Sequence, residues 1–221
     1  MSGLEAGGVI SLVSAVIALL EAAKTIYDGA HNAKGLPDTF AKVAENIPVV
    51  VKILDNIEKR VKSLSERVTG EFDTANKQEL EDAAKSVRPI IKTCQGNAED
   101  LKEIFEKVFS DSDSSWLQRY KSAIRSLRPG RQQKVEHLMK EILEKLALLH
   151  TNDYFEAVVS AEDLRSAIAQ LEEADPSLPS GTTIISNGPG PINANLSSGT
   201  QYNQNSSGDH NTTHNHYGRS T

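Results

Sequence analysis

Apolar residues recur at intervals of three and four along most of this chain, and that spacing restricts the fold more than any other feature. One run contains Phe40, Val43, Ile47, Val50, Leu54, Ile57, Val61, Leu64 and Val68, and a second contains Leu80, Ala84, Val87, Ile91, Cys94, Ala98, Leu101, Phe105 and Val108. Residues three and four apart share one face of an α-helix. Each run covers about 30 residues, so the spacing predicts a bundle of elongated helices.

Proline and glycine predict where these helices bend or end. Pro48 lies inside the first run and should kink it, while Pro89 and Gly96 favour a bend or a split in the second. Three shorter helices are expected to follow, carrying Trp116, Leu117, Tyr120, Ile124 and Leu127, then Val135, Leu138, Ile142, Leu146 and Leu149, then Leu164, Ile168 and Leu171 after a capping sequence at Ser160. No alternating strand pattern precedes Thr182. We therefore predict an all-α domain over residues 1–175.

The first helix has no charged face. Residues 6–20 are uncharged, between Glu5 and Glu21. A spanning helix needs about 20 apolar residues, and a signal peptide needs a basic start that this chain lacks, so the default expectation is a soluble, cytosolic protein. A helix that is apolar all round is either the buried centre of a bundle or directed to a membrane. The candidate membrane-insertion residues are Val9, Ile10, Leu12, Val13, Val16, Ile17, Leu19 and Leu20.

The end of the chain repeats a nine-residue unit that begins at Gly181, Gly190, Gly199 and Gly208. Residues 176–221 contain one acid and one base, and they are rich in Asn, Ser, Thr and Gly. Such a segment cannot bury a core of its own, yet uncharged Asn-rich strands pair readily when copies stack. We predict a disordered, amyloid-competent, β-forming tail with short strands such as 182–186 and 200–203; the alternative is a flexible terminus that does not assemble. The residues that carry the motif are Gly181, Ile184, Ile185, Gly190, Ile192, Gly199, Tyr202 and Gly208.

A basic stretch lies between Asp113 and Glu136. It holds six cations and no acid: Arg119, Lys121, Arg125, Arg128, Arg131 and Lys134. These side chains are candidates for contact with anionic lipid head groups, at roughly 1 kcal/mol per cation. The alternative is a solvated helix face followed by a basic loop. Nucleic acid is not expected as a partner because the formal net charge of the chain is −6.

The sequence contains no pattern typical of an enzyme. A phosphate-binding G-x-x-x-x-G-K-[ST], a G-x-S-x-G elbow and an H-E-x-x-H are all missing. Cys94 occupies a core position and is interpreted as a buried thiol. His210, His214 and His216 lie in the tail, which offers no rigid frame for a metal. We therefore predict no catalytic residues, no metal site and no cofactor.

Two segments together resemble a known family. The opening GLEAGGVISLVSAVIALLEAAKTIYDGA, followed by LPDTFAKVAENIPVVVKILDNIE, resembles the fungal HeLo-like domains of the SesA type, the N-terminal domain of NACHT and other P-loop NTPases. The tail segment GPINANLSSGTQYNQNSSGD is similar to the sigma-type prion-forming motif at the ends of fungal incompatibility proteins. The likeness of the helical part spans most of residues 1 to about 150. Its fold would be a HeLo-like helical bundle.

The resemblance implies a cell-death, or heterokaryon-incompatibility, effector. In that family a NOD-like receptor of the STAND class carries a matching motif and templates the tail, and the effector then oligomerises and attacks membranes. The expected partners are therefore other copies of this chain, such a receptor, and membrane lipid on activation. The expected location is the cytoplasm, with relocation to the plasma membrane on activation. The rival hypothesis is a non-lytic helical adaptor that the tail merely clusters.

Overall fold

The computed structural model describes residues 2–30, 35–68, 73–110, 114–128, 130–178, 192–194 and 202–204. Six α-helices account for most of them: α1 Ser2–Gly29, α2 Asp38–Glu66, α3 Thr74–Val108, α4 Trp116–Ser126, α5 Val135–Ala147 and α6 Ala161–Glu173, with a short 3-10 helix at Leu148–Thr151. Two strands, β1 Ile192–Ala194 and β2 Tyr202–Gln204, follow. Contacts divide the chain into one unit at Met1–Ile184 and another at Ile185–Thr221. The all-α prediction for the first unit is confirmed over its described residues.

The two long central helices form as their spacing predicts. The predicted residues from Phe40 to Leu64 are buried on α2, and those from Leu80 to Val108 are buried on α3. Both helices run unbroken through their prolines, so the predicted split at Pro89 is wrong. Pro48 and Pro89 are exposed. A carbonyl freed four residues before an exposed proline can bind water, which reduces the cost of continuing the helix.

The helices enclose one hydrophobic core. α1 packs on α3 and α2, α5 packs on the same two helices, α4 packs on α3, and α6 packs on α5 and α2. An aromatic cluster joins four of these helices at one end of the bundle: Tyr27 of α1, Phe40 of α2, Phe105 and Phe109 at the end of α3, and Tyr120 of α4. The end of α1 is therefore attached to the same cluster that holds α4.

Helix α1 is not the buried centre of the bundle. One face is buried, through Ala6, Val9, Val13, Val16, Leu20 and Ala23. The opposite side is exposed, at Gly7, Ser11, Ser14 and Ala18; we call these four residues the small-residue face. The expectation that a helix without a polar face must be buried all round is corrected here. Gly, Ser and Ala expose little apolar area to water, so this side of α1 can be solvated at low cost.

Two of the three shorter helices, α4 and α6, begin at side-chain caps. Ser160 accepts a hydrogen bond from the backbone N–H of Asp163 at 3.2 Å, so α6 begins where the sequence predicts. Ser115 and Gln118 form a full capping box at the start of α4, which the sequence analysis did not identify. These caps satisfy N–H groups that have no partner inside the helix.

The second unit contains one antiparallel strand pair among its described residues. Ile192 lies opposite Gln204, Asn193 opposite Asn203 and Ala194 opposite Tyr202. The strands belong to the units that begin at Gly190 and Gly199. Two consecutive repeats therefore pair with each other. The predicted strand at 182–186 lies outside the described residues.

Candidate functional site

The membrane-insertion candidates of α1 are divided between its buried face and its flanks. Val9, Val13, Val16 and Leu20 are buried in the core, and Ile10, Leu12, Ile17 and Leu19 are partly buried against it. None of the eight lies on the small-residue face. Contact of the four buried side chains with lipid would therefore require α1 to leave its neighbours.

Helix α1 is long and apolar enough to cross a membrane. The stretch Ala6–Gly29 covers 24 residues, and its most apolar 18-residue window has a mean hydropathy of 2.0, although the core helix of a soluble protein can have the same length and hydropathy. The uncharged run of 15 residues underestimates this length because the helix continues past Glu21. In the most apolar window 33% of the residues are buried, and the others are partly or fully exposed. Among the described residues, this is the one helix with these properties.

A groove of about 610 Å³ follows the seam between α1 and α2. Its floor is apolar, at Ile47, Pro48 and Val51, and its rim carries charges of both signs, at Glu21, Lys24, Lys52, Asp55 and Lys59. This groove was not predictable from the sequence, because its two sides come from segments that are separated along the chain. It provides the bundle with a surface where another polypeptide segment could pack.

The segment that follows α6 is fixed to the bundle by buried polar contacts. Ser177 is fully buried, and its hydroxyl lies 2.8 Å from the Tyr120 hydroxyl. The Tyr120 oxygen also accepts a hydrogen bond from the Val135 N–H at 3.0 Å, and the Ser177 N–H donates to Glu136 at 3.3 Å. Thr39 donates to the carbonyl of Asp175. We call residues 175–178 the linker; it contacts α2, α4 and the start of α5.

Burial controls the ionisation of the groups around the linker. Burial raises the pKa of Tyr120, and the nearby Glu136 carboxylate raises it further, while the hydrogen bonds from Ser177 and Val135 oppose these effects. The phenol is therefore neutral at physiological pH and can donate or accept a hydrogen bond. Sequence reasoning missed this contact because Ser177 and Tyr120 are 57 positions apart.

The six cations of the basic stretch do not form one surface. Arg119 donates to the Val108 carbonyl at 2.7 Å and also to the Ser114 carbonyl. Arg131 forms an ion pair with the buried Asp100 at 3.0 Å, and its guanidinium covers Gly96, where a Cβ would meet it at 2.1 Å. Lys134 is the half-buried residue that precedes α5. Lys121 is half-buried, and Arg125 and Arg128 are exposed.

The Arg131 contact explains why Gly96 stands inside a helix. Burial raises the pKa of Asp100, and the Arg131 charge opposes that rise. A Cβ at position 96 would force the Arg131 guanidinium to move from its place beside Asp100. Arg131 is therefore engaged in that ion pair.

Cys94 is buried at a core position, as predicted. Burial raises its pKa to about 12, with a smaller contribution from Glu141. A thiol of this kind is not a nucleophile at neutral pH. No group of three or more metal-binding side chains occurs in the part of the chain that the structure describes.

The amyloid-motif residues are described only in part. Ile192 and Tyr202 lie in β1 and β2. Gly181, Ile184, Ile185, Gly190, Gly199 and Gly208 lie outside the described residues, as do the three tail histidines.

Comparison with known proteins identifies the helical part. No curated protein and no solved structure matches the chain. Residues 13–149, more than half of the chain, match the family model of SesA, described as an N-terminal domain on NACHT and P-loop NTPases. The match begins inside α1 and ends in the 3-10 helix, so it includes α1 from Val13 onward, the aromatic cluster and the basic stretch. The chain belongs to the SesA family.

Proposed function

We propose that this chain is a signalling effector of the NOD-like receptor class, which kills the cell once its tail is assembled. A STAND receptor with a matching motif templates the tail into an amyloid, and the assembly concentrates the helical domains. α1 then leaves the bundle and disrupts the plasma membrane. The chain is cytoplasmic at rest, acts without a cofactor and catalyses no reaction.

The observation that carries the proposal is the character of α1. Over Ala6–Gly29 it would be about 36 Å long, compared with about 30 Å for the hydrocarbon core of a bilayer. Its small-residue face offers lipid no charge. Its buried face would exchange protein neighbours for lipid tails, so the apolar residues would stay out of water in both states.

The ends of α1 also suit a helix that changes its surroundings. The charged residues of Ala6–Gly29 are Glu21, Lys24 and Asp28, all in the last part of the helix. Lys24 and Asp28 form an ion pair. With Ala6 at one surface of the membrane, Lys24 and Asp28 would lie about 27 Å and 33 Å along the helix, near the opposite head groups, where charges cost far less than at the bilayer centre, whereas Glu21, at about 22 Å, would lie inside the hydrocarbon core.

The repeat supports assembly of the tail. Consecutive nine-residue units contribute β1 and β2, and the two strands form an antiparallel pair in which Asn193 lies opposite Asn203. Pairing between units inside one chain is evidence that their sequences are compatible as neighbouring strands. Between chains the same compatibility favours stacking, and each bound copy raises the local concentration of helical domains.

The linker supports a coupling between the two events. Strand assembly that extends to residues 175–178 would withdraw Ser177 from Tyr120. The centroid of the Tyr120 ring lies 5.0 Å from that of Phe40, in the aromatic cluster that also contains Tyr27 of α1. The linker and α1 are therefore connected by contiguous packed side chains. Loss of the linker contact would weaken the attachment of α1.

The test uses the full chain mixed with dye-filled liposomes, with and without preformed fibrils of residues 176–221 as seeds. We expect leakage only after seeding. The Ala18→Lys variant places a charge on the exposed small-residue face near the middle of Ala6–Gly29; it should still form fibrils but should not cause leakage. A seeded wild-type chain that leaves liposomes intact would overturn the membrane step. Failure of seeds to produce fibrils would overturn the templating step.

A second function, that of an adaptor, is favoured by the groove between α1 and α2. A helix from another signalling protein could pack there against Ile47, Pro48 and Val51. The adaptor would need the bundle intact after assembly. Seeded samples that bind a helical partner but cause no leakage would favour this function.

A further inference from the structure

Three cations of the basic stretch are available to a partner. Lys121 and Arg125 lie one turn apart on α4, and Arg128 follows the end of that helix. None of them forms an ion pair with a described residue, and no acid occurs between Ser114 and Val135. We call these three residues the α4 cationic face. Arg119, Arg131 and Lys134 are excluded from it because of the contacts or burial described above.

The acid that comes closest to α4 is already neutralised. Glu103 of α3 accepts a hydrogen bond from Ser126 at 3.1 Å and lies 2.7 Å from the Lys107 ammonium. Lys107 holds the pKa of this carboxylate below its usual range, and the Ser126 hydroxyl and Arg128 contribute in the same direction. The Glu103 carboxylate beside Ser126 is therefore already balanced by Lys107.

We propose that the α4 cationic face binds the head groups of an anionic bilayer, and that it does so effectively only when tail assembly holds several copies together. This inference rests on the proposed function and names the lipid class that the assembled effector recognises. It assigns the first contact with the membrane to α4, before α1 inserts.

The expected strength explains why assembly is required. One basic residue near an anionic surface strengthens binding roughly five-fold at physiological salt, so three give on the order of 100-fold. The formal net charge of the chain is −6, which opposes the approach of a single copy to the same surface. Copies joined through their tails contribute their faces together, and the gains multiply.

The absence of apolar anchors favours lipid over a protein partner. The apolar residues of α4 beside the cations leave little exposed area, because Ala123, Ile124 and Leu127 are buried, and Trp116 and Leu117 are partly buried against the core. Among the described residues, Leu148 is the one large hydrophobic residue that is exposed. Tight protein interfaces depend on a buried apolar or aromatic centre, which this surface cannot supply, whereas head groups require charge alone.

The test measures co-flotation of the full chain with vesicles of phosphatidylcholine alone or with added phosphatidylserine, before and after seeding. The variant is Lys121→Gln/Arg125→Gln/Arg128→Gln. The control is Lys59→Gln/Arg88→Gln/Arg165→Gln, which removes one exposed lysine and two exposed arginines from α2, α3 and α6. Both lower the formal net charge by three, from −6 to −9. Circular dichroism and thermal melts check that both fold.

We expect seeded wild type and control to float with phosphatidylserine vesicles, and the α4 variant to lose at least on the order of 100-fold in binding. Equal flotation of variant and control, or no preference of the wild type for phosphatidylserine, would overturn the inference. A third result would also overturn it: the α4 variant still floats with the vesicles but no longer binds soluble polyglutamate or duplex DNA. That result would assign the face to another macromolecule. Flotation of the non-leaking Ala18→Lys variant separates lipid recognition from the proposed membrane disruption: if α4 binds lipid but no sample leaks, only the proposed function fails.

Discussion

Helices α1 and α3 are both long and both bury one face, but they differ in what they present to water. The outward side of α3 carries charged residues, including Arg88 and Lys92, and ion pairs such as Lys102–Glu106. The outward side of α1 carries the small-residue face. Each arrangement keeps a helix in a soluble bundle, but only that of α1 would also be tolerated in a bilayer, because charges at the centre of a membrane are costly. An exposed helix side made of small, uncharged residues is therefore compatible with both water and a bilayer.

The largest expected effect comes from a charge on the buried face of α1. Val16 is 0% exposed, and Val16→Lys should reduce the free energy of unfolding by more than about 4 kcal/mol, because an unpaired ammonium is placed in the core. Ala18→Lys, on the exposed side, is the control and should change it by less than about 0.5 kcal/mol. Urea unfolding measures both. If both variants lose the same unfolding free energy, α1 has no exposed side. It would then not differ from α3 in what it presents to water.

A smaller effect is expected where α1 is attached to α3. The centroid of the Tyr27 ring lies 5.7 Å from that of Phe109 and 6.2 Å from that of Phe105. Tyr27→Ala should cost about 2 kcal/mol and release the end of α1, so that the full chain causes some liposome leakage without seeds. Tyr27→Phe keeps the ring and should not. If Tyr27→Ala is less stable but causes no leakage without seeds, the Tyr27 contact does not control the release of α1.

The hydrogen bonds of Tyr120 with the linker and the start of α5 should contribute about 1–2 kcal/mol to the free energy of unfolding. Tyr120→Phe leaves the buried Val135 N–H and the Ser177 hydroxyl without their partner, and thermal melts should show the loss. In the wild type the raised pKa of Tyr120 means that the folded state keeps the phenol protonated while the unfolded chain ionises above about pH 10. Stability from this group is therefore present below that pH and lost above it.

The same variant provides an internal check of this interpretation. The difference in stability between wild type and Tyr120→Phe should narrow as the pH rises above about 10. The raised pKa of the buried Cys94 also lowers stability at high pH, but it does so equally in the wild type and in Tyr120→Phe. A difference that stays constant to high pH would show that the Tyr120 phenol is accessible to solvent in the folded chain.

The smallest effect on stability should accompany a complete effect on membranes. Ala18→Lys is expected to leave the unfolding free energy within about 0.5 kcal/mol of the wild type. Near the bilayer centre the same charge costs about 2.5–3.5 kcal/mol, so seeded leakage should fall on the order of 100-fold. Ala75→Lys, exposed on α3, adds an equal charge and should leave leakage unchanged. Equal leakage from both variants would remove the distinction between the two helices.

The fold was predictable where outward and inward residues differ sharply in polarity. α2 and α3 bury the apolar residues that their spacing selects, because charged residues occupy the remaining positions. α1 lacks that contrast, so its hydropathy could not indicate that Gly7 and Ser11 are exposed while Ala6 is buried. Its exposed side depends on which side α2 and α3 leave open, and this is decided only when the bundle forms.

The candidate site was less predictable for a similar reason. The basic stretch was visible as a run of cations, but its division depends on the Val108 carbonyl, which engages Arg119, and on Asp100, which engages Arg131. The linker consists of ordinary turn residues, and nothing near Ser177 in sequence indicates that Tyr120 will reach it. Such contacts between distant segments leave no periodic signal.

Burial of Ser177 and Leu178 has a geometric consequence for any fibril that the tail forms. Only a few residues separate the bundle surface from the first repeat at Gly181, so each bundle would be held close to its place along the fibril. Four stacked units would advance the fibril by about 19 Å per chain, at 4.7–4.8 Å per layer. Two packed helices are already about 20 Å wide, and α3 with its 35 residues is about 52 Å long. Neighbouring bundles would therefore compete for space, and this crowding would grow with each added chain and act as a mechanical load on the linker.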